Sequence, residues 1–160
     1  MVETVTSTHV LAPVGGRAVA LADVPDPVFS AGMVGYGAAV DPPRDVVTAV
    51  APVSGKLLKL MPHAYVVLTA GGVGILVHLG LDTVALNGEG FTAHVTQGDE
   101  VTAGQDIITY DVPAIEAKGL NPIVPVVVMD ERDAANVQPS APVLHGDQIA
   151  SGAGLFTANR

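Results

Sequence analysis

The chain has 160 residues, enough for one domain with a sizeable core and short for two. Charged residues make up 14% and hydrophobic residues 49%, against roughly 25% charged in an average soluble domain, so a membrane span is the first question. Seven basic residues against sixteen acidic ones give a net charge of -9, which repels polyphosphates and leaves no basic patch with interleaved aromatics for nucleic acid. The absence of cysteine excludes disulfides, thiolate metal sites and cysteine nucleophiles.

Residues 1–10 are polar and Thr-rich without a strong period, which predicts a short flexible lead-in followed by one domain over residues 11–160. No secretory signal is read in them, since the first sixteen residues hold no Lys, no Arg and no long apolar segment, and a cytoplasmic protein is expected. Short apolar runs then follow at 17–21, 33–40, 46–50, 56–60, 65–69, 74–81, 100–101, 107–110, 124–129 and 154–157, separated by Gly, Pro and Asp. Many short strands with such punctuation predict an all-β sandwich or barrel. Helix is scarce: residues 113–118, with Pro113 early and Gly119 after the end, make one or two turns. Ala12-Pro13-Val14-Gly15-Gly16 and Ala51-Pro52-Val53-Ser54-Gly55 are locally alike and read as matching turns of two sheets. The glycines of residues 95–106 suit tight turns of the kind found in lipoyl-carrying and biotinyl-carrying domains, but no modified-lysine turn accompanies them, and Lys56 reads as an exposed strand residue.

Residues 60–81 carry no formal charge and are about as long as a membrane-spanning helix. Pro62, Gly71, Gly72, Gly74 and Gly80 interrupt them, and their apolar content is mostly β-branched valine, which suits strands. Two strands joined at Ala70-Gly71-Gly72 account for the run, with no direct membrane insertion.

Both histidines of interest lie in this run. Pleating sends Ile75, Val77, Leu79 and Leu81 to one face and Leu76, His78, Gly80 and Asp82 to the other. His78 therefore leaves the core face, and Gly80, without a side chain, leaves space beside its imidazole. From this segment alone His78 also reads as a residue capping an exposed strand face. If the two strands are antiparallel neighbours, His63 and His78 meet across the pair. Desolvation in an apolar patch favours the neutral ring, which serves as a metal ligand or a nucleophile. His9, His94 and His145 read as surface residues, and Asp130-Glu131-Arg132-Asp133 as a solvated loop. Gly72-Val73-Gly74 precedes a strand where a nucleotide-binding fingerprint needs a helix, and no cofactor is read from it.

The segment Gly72-Val73-Gly74-Ile75-Leu76-Val77-His78-Leu79-Gly80-Leu81-Asp82-Thr83-Val84 resembles the signature around the phosphorylated histidine of the glucose-type enzyme IIA of the bacterial phosphoenolpyruvate-dependent sugar phosphotransferase system. Further segments fall in that family's order: Pro13-Val14-Gly15-Gly16, residues 23–30, Met33-Val34-Gly35, residues 50–55, residues 87–91 and residues 122–127. The resemblance runs from about residue 11 to the end. It implies a twisted antiparallel β-sandwich without cofactor or metal, a single EIIA type-1 domain. His78 would take a phosphoryl group from the phosphocarrier HPr and pass it to a cysteine of an enzyme IIB partner. His63 would stay unphosphorylated and hydrogen-bond the phosphoryl oxygens. The docking surface would comprise Val28, Phe29, Met33, Val34, Gly80, Asp82 and Val84, facing HPr and the IIB/IIC sugar permease. One departure stands out: the family often has a Thr shortly before the second histidine, where this chain has Met61-Pro62-His63, and Thr83 is a candidate substitute.

Two alternatives accompany this reading. A regulatory protein of carbon metabolism would dock on its targets through the same apolar surface. A zinc metallopeptidase-like domain would need a third ligand besides His63 and His78, for which only Asp82 is at hand.

Overall fold

The computed structural model describes residues 7–159. Strands β1 (Ser7–Leu11) and β2 (Gly16–Ala20) lead to a 3-10 turn (Leu21–Asp23) and helix α1 (Pro27–Ser30). Strands β3 (Gly35–Asp41), β4 (Val46–Val50), β5 (Gly55–Met61), β6 (Ala64–Leu68) and β7 (Gly74–His78) follow, then a second 3-10 turn (Thr83–Leu86). After β8 (Phe91–Ala93), β9 (Glu100–Val101) and β10 (Asp106–Asp111) come helix α2 (Val112–Ala117) and β11 (Val124–Met129). A third 3-10 turn (Ala134–Asn136), β12 (Val137–Pro139), α3 (Ala141–His145), β13 (Gln148–Ile149) and β14 (Gly154–Asn159) complete the described chain.

The strands form an eight-stranded sheet in the order β13-β2-β3-β11-β7-β6-β5-β9 and two three-stranded sheets, β1-β14-β12 and β4-β10-β8. The expected all-β, antiparallel architecture is observed. β11 explains why the large sheet has two covered faces: Val124, Val126 and Val128 enter the main core with Tyr65, Ile75, Val77 and Leu155, while Val127 points to a smaller cluster with Leu21, Val24, Phe29 and Leu81. A strand buried on both sides needs a continuous apolar run, and each fully buried Val, Ile or Leu contributes about 1.5–3 kcal/mol. The smaller cluster, on the outer face, carries α1 and supports the two histidines.

The two look-alike turns interlock. Leu11 N–H donates to the Pro52 carbonyl at 2.9 Å and Val50 N–H to the Pro13 carbonyl at 2.9 Å, so each satisfies the strand that enters the other. The β6–β7 turn forms at the expected place, with Thr69 N–H on the Val73 carbonyl and Gly72 N–H on the Thr69 carbonyl.

Several expectations need correction. Ser7–Leu11 is strand β1, paired from Ser7↔Asn159 onward, and so is no flexible lead-in; its Thr, His and Val gain order from a partner strand far along the chain that no local pattern announces. The rest of the expected lead-in, Met1–Thr6, lies outside the described residues. Helices α1 and α3 and strands β8, β12 and β13 went unread because each is only two to five residues long. β7 stops at His78, short of residue 81: Leu81 joins the outer cluster, where strict alternation would have sent it inward. Finally, Glu131 is buried, its Oε2 accepting from Asp133 N–H and the Asn136 amide, and the loop is solvated at Asp130, Arg132 and Asp133.

Candidate functional site

His63 and His78 meet as the pairing requires. In the β6–β7 ladder Ala64 stands opposite His78, and the Leu79 N–H then donates to the His63 carbonyl at 2.7 Å, so the backbone fixes both histidines in register. Their ring centroids lie 5.0 Å apart at 73°, edge to face. The Phe29 ring covers another side of His78, with centroids 5.3 Å apart. Pro125 precedes Val126, which pairs with Val77 at the end of the β11–β7 ladder nearest His78. Having no N–H, proline suits a place where a ladder ends, and here the end coincides with His78.

The loop after β7 determines the state of the His78 ring. His78 Nδ1 lies 2.5 Å from the Gly80 carbonyl oxygen. A carbonyl only accepts, so Nδ1 carries the proton and the lone pair of the neutral ring sits on Nε2. Burial holds the His78 pKa below the ordinary histidine value, opposed by the Gly80 carbonyl and by the carboxylates of Asp26 and Asp82. His63 is also lowered, by burial first and by repulsion from His78 second. Both rings are therefore neutral at pH 7.

Gly80 itself departs from the sequence reading. Its φ is +86°, and a Cβ there would lie 2.6 Å from the Thr83 methyl and 3.1 Å from the Asn121 carbonyl oxygen. The space is filled, so the glycine serves the turn and the close approach of Thr83, and it offers its carbonyl to His78; it opens no room beside the imidazole. Thr83, 1% exposed, donates its hydroxyl to the Leu79 carbonyl at 2.8 Å and makes no hydrogen bond to either histidine. Among the described residues neither ring nitrogen of His63 has a hydrogen-bond partner, so Met61-Pro62-His63 leaves that imidazole without the hydroxyl seen before it in the family pattern.

The other residues of the expected docking surface divide in two. Val28, Met33, Asp82 and Val84 are exposed, while Phe29 is buried and Val34 partly buried against the outer cluster. Asp26 was missed: it caps α1, accepting from Val28 N–H at 2.9 Å, and its charge acts on His78. An Asp directly before Pro at a helix start is a readable capping signal. Exposed Met61, two residues before His63, adds an apolar side chain to this end of β5. Among the described residues no group of three or more His, Asp or Glu side chains is placed to hold a metal ion, so the zinc alternative lacks its third ligand.

Residues 8–134 match the model of a protein family described as phosphoenolpyruvate-dependent sugar phosphotransferase system, EIIA 1. This chain belongs to that family. A glucose-specific EIIA component of Halalkalibacterium halodurans is 44% identical over 121 residues, covering 74% of this chain and 69% of the relative. A mannose-specific EIIBCA component of Corynebacterium glutamicum is 45% identical over 119 residues, 74% of this chain but 17% of the relative. A glucosamine-specific EIICBA component of Bacillus subtilis is 43% identical over 130 residues, 79% of this chain and 20% of the relative. The chain thus spans about a fifth of the two longer relatives. Among solved structures, the glucose permease IIA from Mycoplasma capricolum superposes with a TM-score of 0.82 at 33% identity, covering 98% of this chain and 99% of that one. The EIIA family thus accounts for the sandwich. No helix among the described residues of this EIIA chain is long and apolar enough to cross a membrane.

Proposed function

We propose that this EIIA-family chain is a phosphoryl carrier in which His78 Nε2 accepts a phosphoryl group from HPr and hands it to a cysteine of an EIIB partner. The observation that carries the reading is the Nδ1–H bond to the Gly80 carbonyl, which leaves the lone pair on Nε2. In the first step that lone pair attacks phosphorus and a P–Nε2 bond forms, while the donor's bond to phosphorus breaks and its electron pair stays with the donor. In the second step the EIIB thiolate attacks in line, the P–Nε2 bond breaks and His78 returns to the neutral ring. Such transfer asks a protein mainly for positioning and for donors to the phosphoryl oxygens. His63, whose ring nitrogens have no hydrogen-bond partner among the described residues and whose centroid lies 5.0 Å from that of His78, is free to give an N–H to one of those oxygens. No metal or cofactor takes part in this reading.

EIIB and EIIC as partners draw support from relatives whose names join A with B and C. Those names specify glucose, mannose and glucosamine, so the sugar is assigned to the membrane partner, with this chain working on its cytoplasmic side. Exposed Val28, Met33 and Val84 flank the site and serve docking, with Asp26 and Asp82 supplying charge for a basic counterpart.

Incubation with phosphoenolpyruvate, enzyme I and HPr tests the reading. An acid-labile, base-stable label on the protein is expected, and none on His78→Ala. His63→Gln is expected to accept label from HPr and to lose onward transfer to EIIB. A fully labelled His78→Ala protein would refute the assignment.

A further inference from the structure

Two successive peptide planes decide where the Gly80 carbonyl points. In the first, between Leu79 and Gly80, the N–H donates to the Ile123 carbonyl at 3.1 Å and the Leu79 carbonyl accepts from the Thr83 hydroxyl at 2.8 Å. In the second, between Gly80 and Leu81, the N–H donates to the Asn121 carbonyl at 2.8 Å and the opposite carbonyl meets His78 Nδ1. The segment leading into β11 thus holds both N–H groups, and Nδ1 holds the second carbonyl. Among the described residues the first carbonyl accepts from the Thr83 hydroxyl alone. The Thr83 methyl occupies the space where a Gly80 side chain would lie. The turn that returns Thr83 to this place passes through Asp82 at φ +59°, a left-handed state that Asp adopts more readily than most non-glycine residues.

We infer that Thr83 is a positioning residue for phosphoryl acceptance: its hydroxyl and methyl clamp the Leu79-Gly80 turn so that the Gly80 carbonyl keeps the proton on His78 Nδ1 and the lone pair on Nε2. The kinetic part of this inference rests on His78 being the acceptor; the tautomer part does not. The role differs from that of the family's Thr ahead of the second histidine, because Thr83 acts on the other ring and through the backbone. Without the hydroxyl, the Leu79 carbonyl is left buried and unpaired, and the peptide turns to find a donor. The Gly80 carbonyl then moves off Nδ1, and part of the population carries its proton on Nε2, where attack on phosphorus is blocked.

Nitrogen NMR of the histidine rings, at a pH where His78 is neutral, reads the tautomer directly. The wild-type protein is expected in the Nδ1–H form. Thr83→Val, which keeps the methyl and loses the hydroxyl, is expected to show a mixture with the Nε2–H form and to accept label from HPr roughly tenfold more slowly. Thr83→Ser is expected to restore the Nδ1–H form and most of the rate, which a purely space-filling threonine would not allow. A folded Thr83→Val protein with the wild-type tautomer and rate overturns the inference. Should that variant not fold, Thr83→Ala is read by the same two criteria with the same consequences. Lack of any label on the wild-type protein would instead refute the phosphoryl-carrier reading, while the tautomer spectra still decide the role of Thr83.

Discussion

Two residues before β7 stands Gly72 with φ +85°, and two residues after it stands Gly80 with φ +86°. A Cβ on Gly72 would meet nothing within 4 Å, whereas one on Gly80 would run into the Thr83 methyl and the Asn121 carbonyl. The same backbone state thus does two jobs. At Gly72 it only lets the chain reverse between β6 and β7. At Gly80 it reverses nothing; it bends the chain out of the sheet, brings Thr83 against the backbone and turns a carbonyl onto His78. One strand therefore has an open end and a chemically committed end, and the difference lies in what surrounds the glycine.

The largest effect should come from Gly80→Ala. A side chain at positive φ costs about 1–2 kcal/mol and overpacking costs a further ~1–3 kcal/mol, so a loss of about 3 kcal/mol in urea unfolding is expected, with phosphoryl acceptance at least tenfold slower. Retention of wild-type stability would show that the turn yields easily and would erase the contrast. Gly72→Ala should lose only the backbone contribution, about 1–2 kcal/mol, with labelling of His78 unchanged. Slower labelling in that variant would mean that the two ends of β7 communicate.

A third and smaller effect concerns protons. Both histidines have folded-state pKa values below the ordinary 6.5. As pH falls below 6.5 the unfolded chain takes up protons before the folded one does, so stability is expected to fall from there down to the folded-state values and to be independent of these groups above 6.5. Urea unfolding between pH 8 and about pH 5 measures this, and His63→Gln with His78→Gln should flatten the decline. A decline of undiminished size in the double variant would place its origin elsewhere.

The contrast also explains what the sequence disclosed. Valine-rich runs broken by Gly and Pro disclosed the sheet, since burial and β-branching act through neighbouring residues. The meeting of His63 with His78 was legible because a hairpin fixes its own register once the turn is located. The role of Gly80 was not, because Thr83, Asn121 and Ile123 converge on it from two segments, and strand alternation fails where the chain leaves the sheet at His78. Asp26 acts on His78 from the start of α1, a helix of four residues with too short a period to read. Glu131 looked solvated by composition and is buried by its bonds to Asp133 and Asn136. The ladder partner of β1 is β14, far along the chain.

That last pairing has a mechanical consequence. Ser7 lies opposite Asn159, so the first and last described residues leave the molecule side by side. Ser7, Thr8 and His9 share a cleft with Thr69, Ala70 and Gly71, at the opposite end of β7 from His78. A tether attached at either terminus would be anchored behind the reactive face. Such a tether would leave the His78 end of the strand clear.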